Sequence, residues 1–383
     1  MQQPSPMRLA LTVSLVLLAS ACVAEVDDFD SPAWDEASDP DAPAEVEERA
    51  VDGLELPDAV DDAEDLAESD GVADVDAEDP DVLAAPAKFK NPLGPACADP
   101  GVIRIGSTFW AACTGKGFPL FKSTDLVHWK AAGHLFTLAT KPAWANGNWW
   151  APEVHHVGDG LVAYFTALSP SRGKMCIGAA RAATMAGPWK DIGHPLVCDA
   201  HVSLLDATVH GTNGKRYLYY KTDGNGLHPQ EKTILYGQEL RADGVGLVGT
   251  RRALLRNTLA WEGDVVEAPW IHHRGGYYYL FYSGFRYCNA TYGVGVARSK
   301  SPLGPFVKRS RPILASNAGW SGPGHNSVVR AGGRAWIVYH AWSGAHSCGD
   351  DGARKLLLDP ITWSGGWPKV GNGTPSRGLV TAP

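Results

Sequence analysis

Three features are scarce or missing in this 383-residue sequence, and each absence excludes a class of structure. From residue 86 onward there is no long helical periodicity, which excludes a helical bundle. No cysteine spacing of the CxxC or Cys/His kind occurs, which argues against a zinc site. Residues 24–85 contain almost no aromatic side chains and a single basic residue, Arg49, against 25 Asp and Glu. That segment cannot bury enough apolar surface to fold.

The first 22 residues have the features of an export signal. Arg8 precedes the apolar run "LALTVSLVLLASAC", which is too short to span a membrane as a stable helix. "LASAC" is similar to a bacterial lipobox, in which Cys22 would carry the lipid; the alternative is ordinary cleavage after "ASA". The predicted organisation is a lipoprotein-type signal peptide at 1–22, an acidic disordered linker at 23–85 and one globular domain at 86–383.

The acidic linker hides the charge of the domain that follows. The whole chain has a formal charge of −8, but only 17 of its 42 acids lie beyond residue 85, together with 32 of its 34 Lys and Arg. The domain therefore carries about +15. Scattered solubilising charge would explain this excess, and so would attraction to an acidic polymer such as pectic material.

Six cysteines follow Cys22, and an even number in an exported protein predicts disulfides. Cys97 and Cys113 flank a predicted hairpin centred on Ile105-Gly106, which places them opposite one another. The remaining expected pairs are Cys176 with Cys198 and Cys288 with Cys348.

A phrase made of a glycine turn and an aromatic, β-rich strand recurs five times in the domain. Its copies read "IGSTFWAAC", "GDGLVAYFTA", "TNGKRYLYYKT", "RGGYYYLFYSG" and "GGRAWIVYHAW". The spacing of the copies is 54 to 62 residues, which is typical of a repeated multistranded sheet. We therefore predict an all-β, five-bladed β-propeller.

An ionisable residue precedes each copy by seven to nine positions, on the strand expected to be innermost. These residues are Asp99, Glu153, Asp206, Glu267 and His325. Carboxyl groups that converge on a common axis raise one another's pKa, so acid and base roles are expected here. Glycoside hydrolysis needs one protonated carboxyl group and one ionised carboxylate. Glu267, set between apolar neighbours in "VVEAPW", suits the acid, and Asp99, beside a proline turn, suits the base.

With these motifs in order, residues 90–372 resemble glycoside hydrolase family 43, whose five-bladed propellers act on arabinose- and xylose-containing polysaccharides. The resemblance is carried by "ADPGVI", "LLDATV" and "VVEAPWI", with "STDLVHW", "WAPEV", "GPGHNSVV" and "YHAW" in support. It implies an inverting mechanism in which Asp99 activates water, Glu267 protonates the leaving group and Asp206 tunes Glu267. Inversion would place the Asp99 and Glu267 carboxyl groups about 6.5–9.5 Å apart.

The resemblance also suggests four secondary site residues. His325 in "GHNS" matches a position that often holds calcium or another ion through water, although an interior, hydrogen-bonded histidine is an equal alternative. Glu153 matches a position that is usually structural, and it is kept as a candidate substrate contact. Trp149 and Trp150 are candidates for sugar stacking, but adjacent strand residues face opposite sides, so at least one should pack in the core. No catalytic role is assigned to the pairs His155-His156 and His272-His273.

The expected function is an exported or surface-tethered glycosidase that cleaves α-L-arabinofuranosyl linkages in arabinan or arabinoxylan as a monomer. No nucleic-acid partner is expected, and membrane contact only through Cys22. Alternatives are a β-xylosidase of the same family, a non-catalytic carbohydrate-binding propeller and a fructan-cleaving propeller. The last of these is disfavoured because "ADPGV" stands where "NDPNG" is usual.

Overall fold

A computed structural model describes residues 87–383, so the predicted signal peptide, Cys22 and the acidic linker lie outside the described residues. The described chain forms five four-stranded antiparallel sheets, one short two-stranded sheet and two single-turn 3₁₀ helices, Gly224–Gly226 and Ala260–Glu262. The five sheets confirm the predicted five-bladed β-propeller. No helix within 87–383 is both long and apolar enough to cross a membrane.

Each blade is one continuous stretch of chain in which successive strands pair with one another. Blade 1 contains β2 (Gly101–Ile105), β3 (Thr108–Ala112), β4 (Pro119–Ser123) and β5 (Lys130–His134). Blade 2 contains β6 (Trp150–Val157), β7 (Gly160–Ser169), β8 (Lys174–Ala182) and β9 (Lys190–Asp191). Blade 3 contains β10 (Leu204–Thr212), β11 (Lys215–Thr222), β12 (Ile234–Leu240) and β13 (Leu247–Arg256). Blade 4 contains β14 (Val266–Arg274), β15 (Tyr277–Gly284), β16 (Gly293–Ser299) and β17 (Val307–Lys308). Blade 5 contains β18 (Trp320–Ala331), β19 (Arg334–Ser343), β20 (Lys355–Ser364) and β21 (Trp367–Val370).

The core is divided into five clusters of buried side chains, and each cluster lies between two neighbouring blades. Strand β15 shows how the sequence encodes this arrangement. Successive strand residues point to opposite faces, so Tyr279 and Phe281 pack towards blade 5 while Tyr278, Leu280 and Tyr282 pack towards blade 3. Because both faces are buried, the strand is a continuous apolar run rather than an alternating one.

The ring closes between blades 5 and 1. Strand β1 (Lys88–Phe89) pairs with β22 (Val380–Thr381) outside the blades. Beside this pair, the buried Asn91 side chain donates to the Leu358 carbonyl at 3.1 Å and to Ser376 Oγ at 2.9 Å, and it accepts from the Leu358 N–H at 3.0 Å. Asn91 therefore fastens the segment that precedes blade 1 to the third strand of blade 5.

Three disulfides join the cysteine pairs expected from the sequence: Cys97–Cys113, Cys176–Cys198 and Cys288–Cys348. All six cysteines lie towards the end of the propeller at which the innermost strands begin. We call this end the front face and the opposite end the rear face.

Candidate active site

In every blade, the same position near the start of the innermost strand is occupied by a non-glycine residue in the left-handed region. These residues are Asp99, Ala151, Asp206, Ala268 and His325, with φ between 46° and 58°. Left-handed backbone is uncommon for residues other than glycine, and five copies at equivalent places indicate a repeated structural device. The left-handed residues show which positions of the five innermost strands are equivalent, and they correct the alignment inferred from the sequence. Asp99, Asp206 and His325 are equivalent, Glu267 lies one residue earlier, and Glu153 lies two residues later.

The backbone N–H of each left-handed residue donates to a side chain of the preceding blade. The acceptors are His340 Nδ1 for Asp99, Thr114 Oγ1 for Ala151, Thr166 Oγ1 for Asp206, Asp206 Oδ2 for Ala268 and Ser283 Oγ for His325, at 2.7–3.1 Å. Four acceptors lie at matching positions in or just after the second strand of a blade. In blade 3, Lys221 occupies that position, so the Ala268 N–H is bound by Asp206 instead.

Asp99 is a buried carboxylate with two hydrogen-bond donors, Arg354 and Thr114, and two histidine rings close to it. Arg354 Nη1 lies 2.5 Å from Oδ1, Thr114 Oγ1 donates to Oδ2 at 2.6 Å, and the rings of His325 and His340 lie 3.4 and 3.3 Å from Oδ1. Burial alone would raise the pKa of the Asp99 carboxyl, but Arg354, the two histidines and the Thr114 hydrogen bond outweigh it and hold the pKa well below the usual range. Asp99 is therefore ionised at neutral pH, as a general base must be.

Glu267 lies on the blade 4 strand and meets two donors. Lys221 Nζ binds Oε2 at 2.9 Å, and the Tyr292 hydroxyl binds Oε1 at 2.7 Å. The structure differs here from the expectation that apolar sequence neighbours surround the carboxyl: Val266 packs into the core between blades 3 and 4. The environment of Glu267 comes from side chains distant in sequence.

Asp206 is the third carboxyl group of the site, and its pKa is raised. The pKa of Asp206 is raised to about 6, because burial, together with the nearby Glu267 carboxylate, outweighs the opposing effects of His325 and Lys221. Its Oδ2 accepts the Ala268 N–H at 3.0 Å, immediately after Glu267 in the chain. Burial and the neighbouring carboxylate thus favour the protonated form of Asp206, beside the proposed acid.

Glu153 lies deeper along the axis and has a different environment. Its side chain is buried, its Oε2 has no hydrogen-bond partner, and His155 Nε2 is 3.9 Å away. Burial, reinforced by Asp206, raises the pKa of Glu153 well above its ordinary value. This position suits a neutral, structural carboxylic acid, and substrate contact by Glu153 stays a prediction.

His325 does not stand in a direct metal site. No group of three or more His, Cys, Asp or Glu in the described chain is arranged to hold an ion, and the His325 ring faces the Asp99 carboxylate at 3.4 Å. An imidazole is a poor calcium ligand, so the protein groups around His325 do not fit a directly coordinated calcium ion. A water-coordinated ion stays a prediction.

The two adjacent tryptophans have separate surroundings. Trp149 packs against Phe118, Phe136 and Phe165 in the core between blades 1 and 2. Trp150 is 38% exposed at the front face, in the position of blade 2 that corresponds to Glu267 in blade 4. Of the two, Trp150 is the one available to a sugar.

Sequence reasoning missed Lys221, Tyr292 and Arg354, which bind the proposed acid and base. Lys221 did leave a signal, because it is the one charged residue between "YLYY" and the end of strand β11, and its side chain is only 2% exposed. Burial lowers the pKa of Lys221, but Glu267 and Asp223 more than compensate and raise it, so its amine stays charged. Tyr292 and Arg354 lie next to strands in front-face loops that have no repeating pattern.

Comparison with known proteins agrees with this geometry. The model of Glycosyl hydrolases family 43 matches residues 89–368, which is most of the chain. The chain belongs to glycosyl hydrolase family 43. This family-43 enzyme is therefore a glycosidase with a five-bladed propeller, as the sequence motifs predicted.

Similar proteins include arabinan-active enzymes. The chain is 26% identical to an extracellular endo-α-(1→5)-L-arabinanase 1 of Bacillus subtilis, over 74% of this chain and 91% of that protein. It is also 26% identical to the extracellular exo-α-(1→5)-L-arabinofuranosidase ArbA of Cellvibrio japonicus, over 71% and 85%. A crystal structure of a thermostable family-43 glycoside hydrolase superposes with a TM-score of 0.68 at 29% identity, covering 76% of this chain and 97% of that one.

Proposed function

We propose that this family-43 glycosidase cleaves α-L-arabinofuranosyl linkages in arabinan or arabinoxylan by an inverting mechanism. The observation that carries the proposal is the pair of carboxyl groups Asp99 and Glu267, held at one end of the axis in opposite environments. Asp99 is fixed as an anion, whereas Glu267 lies beside Asp206, whose pKa is raised. The arabinan-active relatives support the choice of sugar.

In the proposed reaction, Asp99 accepts a proton from the attacking water. Each carboxylate oxygen has two lone-pair sites, so Asp99 can bind this water while Arg354 and Thr114 keep their contacts. Glu267 gives its proton to the leaving oxygen, and Lys221 and Tyr292 then stabilise the carboxylate that forms. Asp206 tunes Glu267 and orients the backbone next to it by accepting the Ala268 N–H. A carboxyl separation of about 6.5–9.5 Å stays part of this proposal, since a water must fit between Asp99 and the sugar.

A β-xylosidase is the second candidate. The chain is 27% identical to a β-xylosidase of Bacillus subtilis, over 74% of this chain and 57% of that protein. The match covers 91% and 85% of the two arabinan-active relatives but only 57% of the xylosidase, and this favours arabinan.

The decisive experiment is a product profile of the full chain on debranched arabinan, arabinoxylan and aryl glycosides of arabinofuranose and xylose. We expect arabinose or arabino-oligosaccharides, and proton NMR of the first product should show the inverted anomer. Short oligomers would mean endo action and arabinose alone exo action. Faster release of xylose than of arabinose would overturn the choice of sugar, and a retained anomer would overturn the mechanism.

For location, we propose export, in line with the extracellular relatives, and attachment through a lipid on Cys22. Metabolic labelling with a palmitate analogue should mark the wild-type protein and not Cys22→Ala. Equal labelling of both would exclude the anchor.

A further inference from the structure

A groove runs across the rear face, at the end of the axis opposite the catalytic carboxyl groups. Three adjoining cavities of about 460, 380 and 350 Å³ form it, and His156 lines all three. His156 follows the left-handed residue Ala151 by five positions along strand β6, so the groove lies about 16 Å below the front face. The groove is therefore separate from the proposed active site.

The three cavities connect several blades. One lies between blades 2 and 3, one between blades 1 and 2, and the third spans the mouth of the axis with side chains of blades 1, 2, 4 and 5. Together they form a continuous depression rather than a closed pocket. We call this depression the rear groove, and its shape suits an extended polymer.

The charge of the rear groove is mostly positive. Arg104 and Arg330 stand at the axis mouth, and Lys215 and Arg216 line the cavity between blades 2 and 3. Of the groove residues, which all lie in the described part of the chain, Asp159 alone carries a carboxylate. Lys215 is partly neutralised by Glu239 at 2.9 Å, so Arg104, Arg216 and Arg330 dominate the local field.

Aromatic side chains add a second recognition element. Trp110 and Trp270 line the groove and are partly buried. An aromatic face packs against apolar ring surface while arginine pairs with carboxylate through two hydrogen bonds. Sugar rings that bear carboxylates would satisfy both elements at once.

We propose that the rear groove is a non-catalytic binding site for a carboxylated polysaccharide. The small number of cations favours this ligand over nucleic acid. Duplex DNA presents one negative charge per about 1.7 Å, a density that the few arginines around the groove do not match, whereas a uronic acid polymer presents one charge per sugar ring. The inference rests on the proposed function for its polysaccharide context and goes beyond it, because the groove takes no part in hydrolysis.

The test is affinity electrophoresis of the full chain in gels that contain polygalacturonate or its neutral methyl ester. The rear variant is Arg104→Gln/Arg330→Gln, and its matched control is Arg309→Gln/Arg311→Gln, which removes equal charge from the loop that enters blade 5 at the front face. Polygalacturonate should retard the wild type and the control, and the rear variant should bind at least tenfold more weakly, because it loses two charge-assisted contacts. Retardation should also be lost in the methyl ester gel.

Three results would overturn the proposal. They are equal retardation of the two variants, equal retardation in both gels, or a stronger retardation of the wild type by DNA that disappears in the rear variant. Hydrolysis of an aryl arabinofuranoside is measured in parallel and should be unchanged in both variants. A wild type that binds polygalacturonate but hydrolyses no arabinoside would contradict the proposed function alone.

Discussion

The two faces of the propeller are built from different kinds of connection. On the rear face, every turn between the first and second strands has two residues, at 106–107, 158–159, 213–214, 275–276 and 332–333. On the front face, the loops between the second and third strands have 4 to 11 residues and include 223–233 and 344–354. All three disulfides lie on the front face. Two-residue hairpins fix their own geometry through backbone conformation, whereas two of the long front-face loops, 285–292 and 344–354, are cross-linked by Cys288–Cys348.

The largest effect should come from the front-face acid itself. Glu267→Gln removes the proton donor but keeps the shape, so we expect kcat on arabinan to fall about 10³-fold, within the range for general acid catalysis. The matched control is Glu153→Gln, which changes the deeper acid and should keep most of the activity. On aryl arabinofuranosides with acidic leaving groups the loss in Glu267→Gln should shrink, because these leave without protonation. A uniform loss across leaving groups would contradict the acid role.

Asp206→Asn should have a smaller effect with a distinct pH signature. Asparagine can still accept the Ala268 N–H, but it no longer places a negative charge beside Glu267. We expect kcat to fall about 10²-fold and the alkaline limb of the pH–rate profile to move to lower pH, since the site loses its proton more easily. An unchanged limb would show that Asp206 acts only through structure.

The disulfide Cys288–Cys348 should matter more for activity than Cys176–Cys198. It joins the loop that leads to Tyr292, a donor to Glu267, with the loop that ends at Arg354, which binds Asp99. We expect Cys288→Ser/Cys348→Ser to lower kcat/KM about tenfold, equivalent to about 1.4 kcal/mol, at a temperature well below its Tm.

The control is Cys176→Ser/Cys198→Ser, which should lower Tm with a smaller loss of kcat/KM. Equal losses of activity in the two double variants would show general stabilisation rather than support of the catalytic loops.

Glu153→Gln should also change stability with pH. The pKa of Glu153 is raised in the folded protein, so in the wild type the folded state binds more protons than the unfolded chain, and stability falls as pH rises above the ordinary glutamate value of about 4.3. Glutamine has no proton to lose. We expect Tm of the variant to match the wild type near pH 4 and to exceed it by roughly 2–5 °C at pH 7. A difference in Tm that does not vary with pH would contradict a neutral Glu153.

The smallest effect should come from metal removal. Because the groups around His325 do not form a direct metal site, dialysis against EDTA should change kcat less than twofold. A larger loss that calcium restores would instead support the water-coordinated ion predicted at His325.

Sequence reasoning found the features that repeat and missed those that cross between blades. The glycine-turn phrase revealed the five blades, and the hairpin around Ile105 placed Cys97 opposite Cys113, because local backbone rules govern both. The three carboxyl groups were found through their position in each repeat. Lys221, Tyr292 and Arg354 were not found. Lys221 and Arg354 act on the next blade, and Tyr292 lies in a loop of blade 4 that has no repeating pattern.

The offset of Glu153 and Glu267 was missed for a related physical reason. A β-bulge places two residues of one strand opposite one residue of its partner, so counting residues from a glycine turn does not reveal which residue is left-handed. The structure locates the bulges, and only then do Asp99, Asp206 and His325 become equivalent.

The hydrogen bonds from each left-handed residue to the preceding blade have a consequence for protein engineering. A single blade is not an exchangeable module, because the residue that fixes its reactive side chain belongs to its neighbour: Thr166 of blade 2 holds the backbone of Asp206 in blade 3. A chimaera that imports blade 3 from another propeller must therefore also import the second strand of blade 2. The smallest transplantable part of this ring is a junction between blades.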